Sequence, residues 1–480
     1  MPLITCIEDL RLLARRRVPR MFYDYVDSGS WTESTYRANE LDLATICFRQ
    51  RVAVNIENRS IRSTMIGEDV VMPVALAPTG LCGMQHADGE ILAARAAEAF
   101  GVPFCLSTMS ICSIEDVEAN ATKPFWFQLY VMRNRGFVER LIGRAKQAQC
   151  SALVVTLDLP MAGQRHKVSR NGISVPPRLM IANLIDMAMK PKWCLEMLRT
   201  RRRSFGNLVG HVDGVSDMTS LLAWIDQQFD PRLSWDDIAW IRRLWDKKLV
   251  LKGIMDAEDA RRAVDAGADA IVVSNHGGRQ LDGAPSSIRM LPTIAKAVKG
   301  QTEVWFDGGI RSGQDVLKAI GLGAKGTMIG RAFLYGLGAM GEAGVRLCLE
   351  IIAKELSVTM GFCGVVDITA VDSSALIAPT LIPETTDGAS SRVRGLAHSG
   401  SYGDHAGHGL QVAPAHCTGR ECISHPPQQR VSARVYHRAT REEAFANTFS
   451  TWGRPKPHGA VCPPARRLWT NGPALSNEGA

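Results

Sequence analysis

Several things are missing from this 480-residue chain, and each omission closes off a class of protein. No stretch approaches the ~18–20 uninterrupted apolar residues that a membrane-spanning helix needs. The twelve cysteines are scattered, mostly in apolar runs such as "VPFCLS" (102–107), without the paired spacing of a disulfide framework. There is no secretory signal, so reduced thiols in a cytosolic setting are expected. No Gly-x-Gly-x-x-Gly follows the first predicted strand, which argues against a nicotinamide-dinucleotide domain. The formal charge of +8 is not spread along the chain. Residues 381–480 hold eleven basic against seven acidic residues, and residues 178–204 hold seven against two, which leaves the remainder slightly acidic. A general nucleic-acid footprint is therefore not expected.

What is present is a series of short, almost continuously apolar runs: "PVALAP" (73–78), "PFCLST" (103–108), "FWFQLYV" (125–131), "ALVVTLD" (152–158), "LVLKG" (249–253), "AIVVSN" (270–275), "EVWFDGG" (303–309) and "GTMIGR" (326–331). Strands buried on both faces have this character. Amphipathic segments such as "ADGEILAARAAEAFG" and "DAEDARRAVDAGA" lie between them, with glycine at the helix exits. Eight strands with interposed helices predict an α/β fold, a (β/α)8 TIM barrel. Polar residues fall where the runs end: Gln128 and Tyr130, Asp158, Lys252, His276, Asp307 and Arg331. That rim is where barrels of this kind do chemistry. In "AIVVSNHGGRQLDGAPSS" (270–287) a histidine and an arginine stand three residues apart on a double-glycine bend, the pattern of a proton-transfer group beside an anion clamp.

Three segments stand outside the barrel pattern, two of them within a predicted main domain of residues 1–375. Residues 1–40 read as an N-terminal helical cap; Glu8, Asp9, Asp24 and Asp27 argue against an arginine-rich transit peptide. The connection between the fourth and fifth strands, about 160 to 248, is far longer than usual. Within it an insertion at 176–215 mixes Leu, Ile, Met and Trp with Lys192, Arg199, Arg201, Arg202 and Arg203. Two readings are open: a helical pair packed on the barrel with its basic end in water, or an interfacial segment (178–204) lying on an anionic membrane. Residues 376–480 lose apolar periodicity, carry seven of the eleven histidines and read as a disordered, out-of-frame extension. His416, Cys417, Cys422 and His425 match no zinc spacing, so no metal is expected.

With these residues assembled, the chain resembles the FMN-dependent α-hydroxy-acid dehydrogenase/oxidase family from residue 1 to about 370. "SNHGGRQLDG" is that family's active-site signature, and "YDYVDSG", "LAPTGLCGM", "FWFQLYV", "LVLKGI" and "FDGGIRSGQDVLKAIGLGA" occur in the expected order. The details look closest to its bacterial membrane-associated L-lactate dehydrogenases. The resemblance implies an FMN cofactor and oxidation of an L-2-hydroxy acid, L-lactate to pyruvate first, with electrons passed to a quinone or cytochrome of the respiratory chain. It further implies a peripheral position on the cytoplasmic side of the inner membrane and a homo-oligomer, tetramers being common in the family. Alternatives are an oxygen-using oxidase of lactate or glycolate, a mandelate dehydrogenase, and a non-catalytic flavin-binding barrel. The presence of His276, Arg279 and Lys252 speaks against the last.

The resemblance also assigns roles. His276 is the expected base, with Asp158 paired to it, raising the histidine pKa and stabilising the imidazolium. Arg165 and Arg279 are expected to grip the substrate carboxylate, with Tyr25 and Tyr130 adding hydroxyl contacts. For FMN, Lys252 supplies positive charge near N1. Pro78, Thr79 and Gly80 lie along the ring, and Ser107, Gln128 and Thr156 bond its pyrimidine side. Ser274 joins the cofactor contacts. Asp307, Gly308, Gly309, Arg311, Gly330 and Arg331 surround the phosphate. Two departures from the oxidases, Met109 in place of tryptophan and Gly80 in place of alanine, are expected to enlarge the pocket.

Overall fold

The computed structural model describes residues 3–172, 180–212 and 227–377. Its centre is eight parallel strands: β1 (Val74–Leu76), β2 (Cys105–Ser107), β3 (Trp126–Tyr130), β4 (Ala152–Thr156), β5 (Lys248–Ile254), β6 (Ala270–Val273), β7 (Glu303–Asp307) and β8 (Gly326–Ile329). Each pairs with its sequence neighbour from β2 to β8, and β8 pairs back onto β1. A parallel bridge from Leu76 to Phe104 closes the ring between β1 and β2. The expected (β/α)8 barrel is the observed fold. Crossover helices follow the strands, several with the N-caps their sequences advertise: Ser234 with Asp237, Asp256, and Ser312 with Asp315.

Side chains alternate along each strand, so every second residue faces the barrel axis. Val154, Val250, Val272, Trp305 and Met328 belong to one inner cluster, in which the Trp126 and Trp305 rings stack with centroids 5.0 Å apart. The intervening residues Leu153, Val155, Leu249, Leu251, Ile271 and Val273 join the larger core beneath the helices. Burial on both faces explains the unbroken apolar runs. A hairpin of Ser63–Met65 and Glu68–Val70 plugs the N-terminal end, where Glu68 accepts from the Trp126 indole at 3.2 Å. At the other end the inner positions continue by steps of two into Ser107, Gln128, Thr156, Lys252, Ser274, Asp307 and Gly330. The polar rim is the inner face carried past the apolar plug.

The cap consists of α1 (Ile7–Arg17), α2 (Arg20–Val26) and α3 (Ser34–Thr45). Leu376–Ile377 pairs antiparallel with Cys47–Phe48, so ordered chain reaches two residues beyond the expected boundary at 375. The extension beyond residue 377, including His416, Cys417, Cys422 and His425, lies outside the described residues, as do 176–179 and 213–215 of the insertion.

The described part of the insertion holds α4 (Ile181–Ala188) and α5 (Pro191–Arg199). One side grips the protein. Trp193 stacks on Phe22 with centroids 5.5 Å apart and donates to the Met84 carbonyl at 3.0 Å, while Met197 packs with Met84 and Ile111. The other side leaves Ile181, Ile185, Met189 and Leu198 exposed at 76, 56, 66 and 70 %. The basic end is not free throughout, as the sequence suggested: Arg202 is paired with Asp116 at 2.7 Å and Asp88 at 3.1 Å, and Arg203 donates to the carbonyls of Leu198 and Thr200. Lys192, Arg199 and Arg201 remain exposed.

Candidate active site

The inner-face residues converge on a cavity of about 350 Å³ at the C-terminal mouth of the barrel. Tyr25, Pro78, Thr79, Gly80, Tyr130, Arg165, Lys252, His276, Arg279, Asp307, Gly309, Arg311, Gly330 and Arg331 line it. Ser107, Gln128, Thr156 and Ser274, all buried, and the half-buried Asp158 are not among its lining residues.

His276 follows β6 in a tight turn, and its φ of +57° is followed by +64° and +70° at Gly277 and Gly278. Left-handed backbone at a histidine costs roughly 1–2 kcal/mol. The turn is held by its surroundings: the His276 amide donates to Ser274 Oγ at 3.1 Å and Gly278 to Asn275 Oδ1 at 3.0 Å. The Asn275 and Asn39 side-chain amides bond each other reciprocally at 2.9 Å, tying the turn to α3. A Cβ on Gly278 would lie 2.4 Å from the Tyr36 nitrogen, so only glycine admits this approach.

The imidazole Nδ1 lies 2.9 Å from Asp158 Oδ1, which leaves Nε2 for the cavity. Space for Asp158 comes from β5, whose pairing with β6 slips between Lys252 and Ile254. Gly253 sits in that bulge with φ +104°, and a Cβ there would fall 2.8 Å from both Asp158 Cβ and Cγ. The histidine pKa moves opposite to expectation. Burial pulls it below its ordinary value, Asp158 resists, and the Lys252 and Arg165 cations add to the fall. A neutral imidazole, able to accept a proton, is therefore the resting form.

The cavity that His276 lines also has a cationic wall. Arg279 donates to the carbonyls of Tyr25 at 2.6 Å and Ser28 at 3.1 Å and stacks over the Tyr25 ring at 4.8 Å. Arg165 donates to the Arg279 carbonyl and to Gln280 Oε1, at 3.4 and 3.3 Å. Arg331 donates to the carbonyls of Val26, Gly277 and Ser28. All these acceptors are neutral. Burial, with Arg165 and Arg331 as like charges, pushes Arg279 down to about 9. A guanidinium relieves such a cost by taking up an anion, not by losing its proton. Burial likewise pushes the Tyr130 phenol up, with the Asp158 charge adding to it, so its hydroxyl stays protonated and can donate.

Lys252 and Asp307 form a buried ion pair at 2.7 Å. Ser274 Oγ accepts from Lys252 Nζ at 2.8 Å and donates to Asp307 Oδ2 at 2.7 Å. Asp307, expected beside a phosphate, thus turns its carboxylate to the lysine. Arg311 donates to Glu40 Oε1 and to the Ile310 carbonyl, both at 2.8 Å. Burial alone would lower its pKa, but Tyr335, Glu40 and Tyr36 raise it.

The family model for FMN-dependent dehydrogenases matches residues 14–378. This chain belongs to that family. L-lactate dehydrogenase of Caulobacter vibrioides is 45% identical over 375 residues, 78% of this chain and 98% of that protein. Among solved structures, the monotopic membrane protein (S)-mandelate dehydrogenase matches with a TM-score of 0.75 and 34% identity, over 78% of this chain and 99% of that one. A mandelate oxidase variant holding 2-hydroxy-phenylacetamide matches with a TM-score of 0.66 and 36% identity, over 78% and 98% of the two chains.

Membership brings FMN as the cofactor, and the residues present fit it. Gln128 Oε1 accepts from Ser107 Oγ at 3.0 Å and the Thr108 amide at 3.4 Å, which fixes the orientation of its side-chain amide. Gln128 Nε2 is then buried without a partner among the described residues, a donor suited to a carbonyl of the flavin pyrimidine ring. At Gly330 a Cβ would meet nothing nearer than Thr79 at 3.7 Å, and this residue caps the ten-residue helix Arg331–Met340 on the cavity wall. A helix N-terminus beside Arg331 and Gly309 suits a phosphate dianion.

The sequence reading missed several residues of the site. Phe205 and Phe229 bring an apolar wall from the long fourth connection, where no local pattern marked them. Gln280 couples Arg165 to the backbone beside the His276–Asp158 pair, donating to the Asp158 and Met161 carbonyls at 3.1 Å. It lies within "SNHGGRQLDG", so its position was visible although its task was not. Gly80 lines the cavity, and a Cβ there would lie 3.0 Å from the Met109 carbonyl oxygen and 3.3 Å from the Tyr25 hydroxyl.

Proposed function

We propose that this protein oxidises an L-2-hydroxy acid, L-lactate to pyruvate foremost, and passes the electrons to a quinone or cytochrome of the respiratory chain. The observation that carries the reading is that His276, paired with Asp158, lines one cavity together with Arg165 and Arg279. A 2-hydroxy acid has a carboxylate for the guanidiniums and, one carbon away, a hydroxyl proton for a base. Oxidation removes two electrons and two protons. FMN, when bound, would supply the acceptor for the two electrons together with the hydrogen of the carbinol carbon. Arg165 and Arg279 hold the carboxylate, and Tyr25 and Tyr130 donate hydroxyl hydrogen bonds that orient the substrate. His276 Nε2 receives the hydroxyl proton, and Asp158, bonded at Nδ1, stabilises the resulting imidazolium. The 45% identity to a lactate dehydrogenase supports the substrate.

A second substrate class has its own support. Met109, Leu159, Val168, Phe205 and Phe229 give the cavity an apolar side able to take an aryl group, and the similar solved structures include mandelate enzymes. Anaerobic mixing of the purified protein with L-lactate, D-lactate, glycolate and mandelate, followed by the flavin visible band, separates these readings. L-lactate is expected to bleach the band fastest, and no bleaching by any hydroxy acid would sink the proposal. Slow hydrogen peroxide release beside rapid reduction of a quinone analogue is expected, and the reverse would make the protein an oxidase.

The exposed apolar face of α4 and α5, bordered by Lys192, Arg199 and Arg201, supports a peripheral seat on an anionic membrane, which we place on the cytoplasmic side of the inner membrane. A homo-oligomer, a tetramer first, is part of the same reading, to be checked by sedimentation.

A further inference from the structure

We propose that Asp307 sets the redox potential of the bound flavin by neutralising Lys252 through the buried Lys252–Ser274–Asp307 chain. The inference rests on the flavin reading above and assigns Asp307 a task other than phosphate binding.

Lys252 and Asp307 occupy inner-face positions at the ends of β5 and β7, and both border the cavity. The side chains are 4 and 13 % exposed, and their charged atoms lie 2.7 Å apart. Burial works against each charge, yet the lysine is held above and the aspartate below its ordinary pKa, because their attraction outweighs the loss of hydration. Ser274 bridges the two, and the same hydroxyl accepts from the His276 amide, so the pair is locked to the turn that carries the base. Other charged or titratable groups acting on Lys252 are Asp158, the Cys105 thiol and, when protonated, His276. Asp158 is committed to His276 at 2.9 Å.

A lone buried ammonium would favour any electrons placed on an acceptor in this cavity. With a carboxylate at contact distance, the cavity instead meets a dipole whose field falls off more steeply. The flavin potential is thereby kept lower than the lysine alone would set it. Reduced flavin then retains more driving force for handing its electrons onward. Asp307 is in this sense a positioning residue acting through Lys252.

The test is an equilibrium one on purified FMN-loaded protein. Sulfite adds to oxidised flavin and leaves negative charge on the ring, so its dissociation constant, read from loss of the visible band, reports the same electrostatics as the midpoint potential without turnover. Asp307→Asn keeps the shape and an acceptor for Ser274 but removes the charge. Sulfite should bind at least ~tenfold more tightly, and the midpoint should rise by about 30 mV, the equivalent of tenfold for two electrons. Lys252→Met should shift both the other way, and because burial drives the Asp307 carboxylate toward its neutral form once the ammonium is gone, adding Asp307→Asn to Lys252→Met should change neither beyond twofold. Values within twofold of wild type for Asp307→Asn, or equal tightening in the Lys252→Met background, would overturn the proposal. So would loss of FMN by Asp307→Asn alone, which would make Asp307 a cofactor-holding group. If Asp307→Asn does not accumulate folded, Asp307→Glu must stay within twofold of wild type, and a tenfold shift there counts against it equally. Wild-type protein unable to hold FMN would overturn both this inference and the functional reading.

Discussion

At the residue scale the site balances burial against charge. His276 stays neutral because burial and the neighbouring cations Lys252 and Arg165 outweigh Asp158. The free-enzyme acid limb of kcat/KM is therefore expected below the ordinary histidine value of about 6.5, with activity falling as pH drops through it. Asp158→Asn removes the largest influence that raises this pKa, so the limb should move further toward acid while kcat falls. A limb that moves toward alkali in a pH-rate profile would contradict the assignment. His276→Gln should keep the yellow flavin yet reduce it ~10²–10⁴-fold more slowly, the usual loss when acid–base help is removed. Stopped-flow bleaching by L-lactate measures this directly. Gly253→Ala presses a methyl into the space of the Asp158 side chain at a backbone φ of +104°. It should slow flavin reduction about as much as Asp158→Asn while FMN remains bound.

At the scale of elements, much was legible because strands repeat every two residues. The apolar runs marked all eight strands, and their last polar residues marked the rim. The stepping of inner positions from Trp305 to Asp307, or from Val250 to Lys252, needs only strand alternation. The insertion was less legible. Composition showed an apolar and basic segment, but which side faced the protein depended on Trp193 and Met197 meeting Phe22, Met84 and Ile111, distant in sequence. The exposed side carries a prediction. Ile185→Asp with Leu198→Asp should abolish co-sedimentation with anionic vesicles at low salt and leave anaerobic FMN reduction unchanged. These are cleaner probes than deleting 178–204, which would also remove Trp193 and the Arg202 pairs to Asp88 and Asp116. Equal vesicle binding by the double variant would refute the membrane seat.

At the scale of the whole molecule, no described helix is long and apolar enough to cross a membrane, and the attachment proposed here is a peripheral one. The family match ends at residue 378, and the last described strand ends at Ile377 against Cys47–Phe48. Truncation after residue 380 is therefore expected to keep FMN, L-lactate-dependent flavin reduction and, within a few degrees, the thermal midpoint. A truncated protein that loses its flavin would show that the C-terminal hundred residues serve the barrel.

The sequence alone determined the barrel and its polar rim, because strand periodicity is a local property of a chain, and its resemblance to a family supplied the expected base, clamp and cofactor residues. Only the tertiary structure decided that Asp307 faces Lys252, that Arg202 is tied to Asp88 and Asp116, and that the His276 pKa moves down. It also decided that Phe205 and Phe229 form a wall of the cavity. The reason is physical: a charge or a ring acts through distance and burial, and these arise only when segments remote in sequence meet in space.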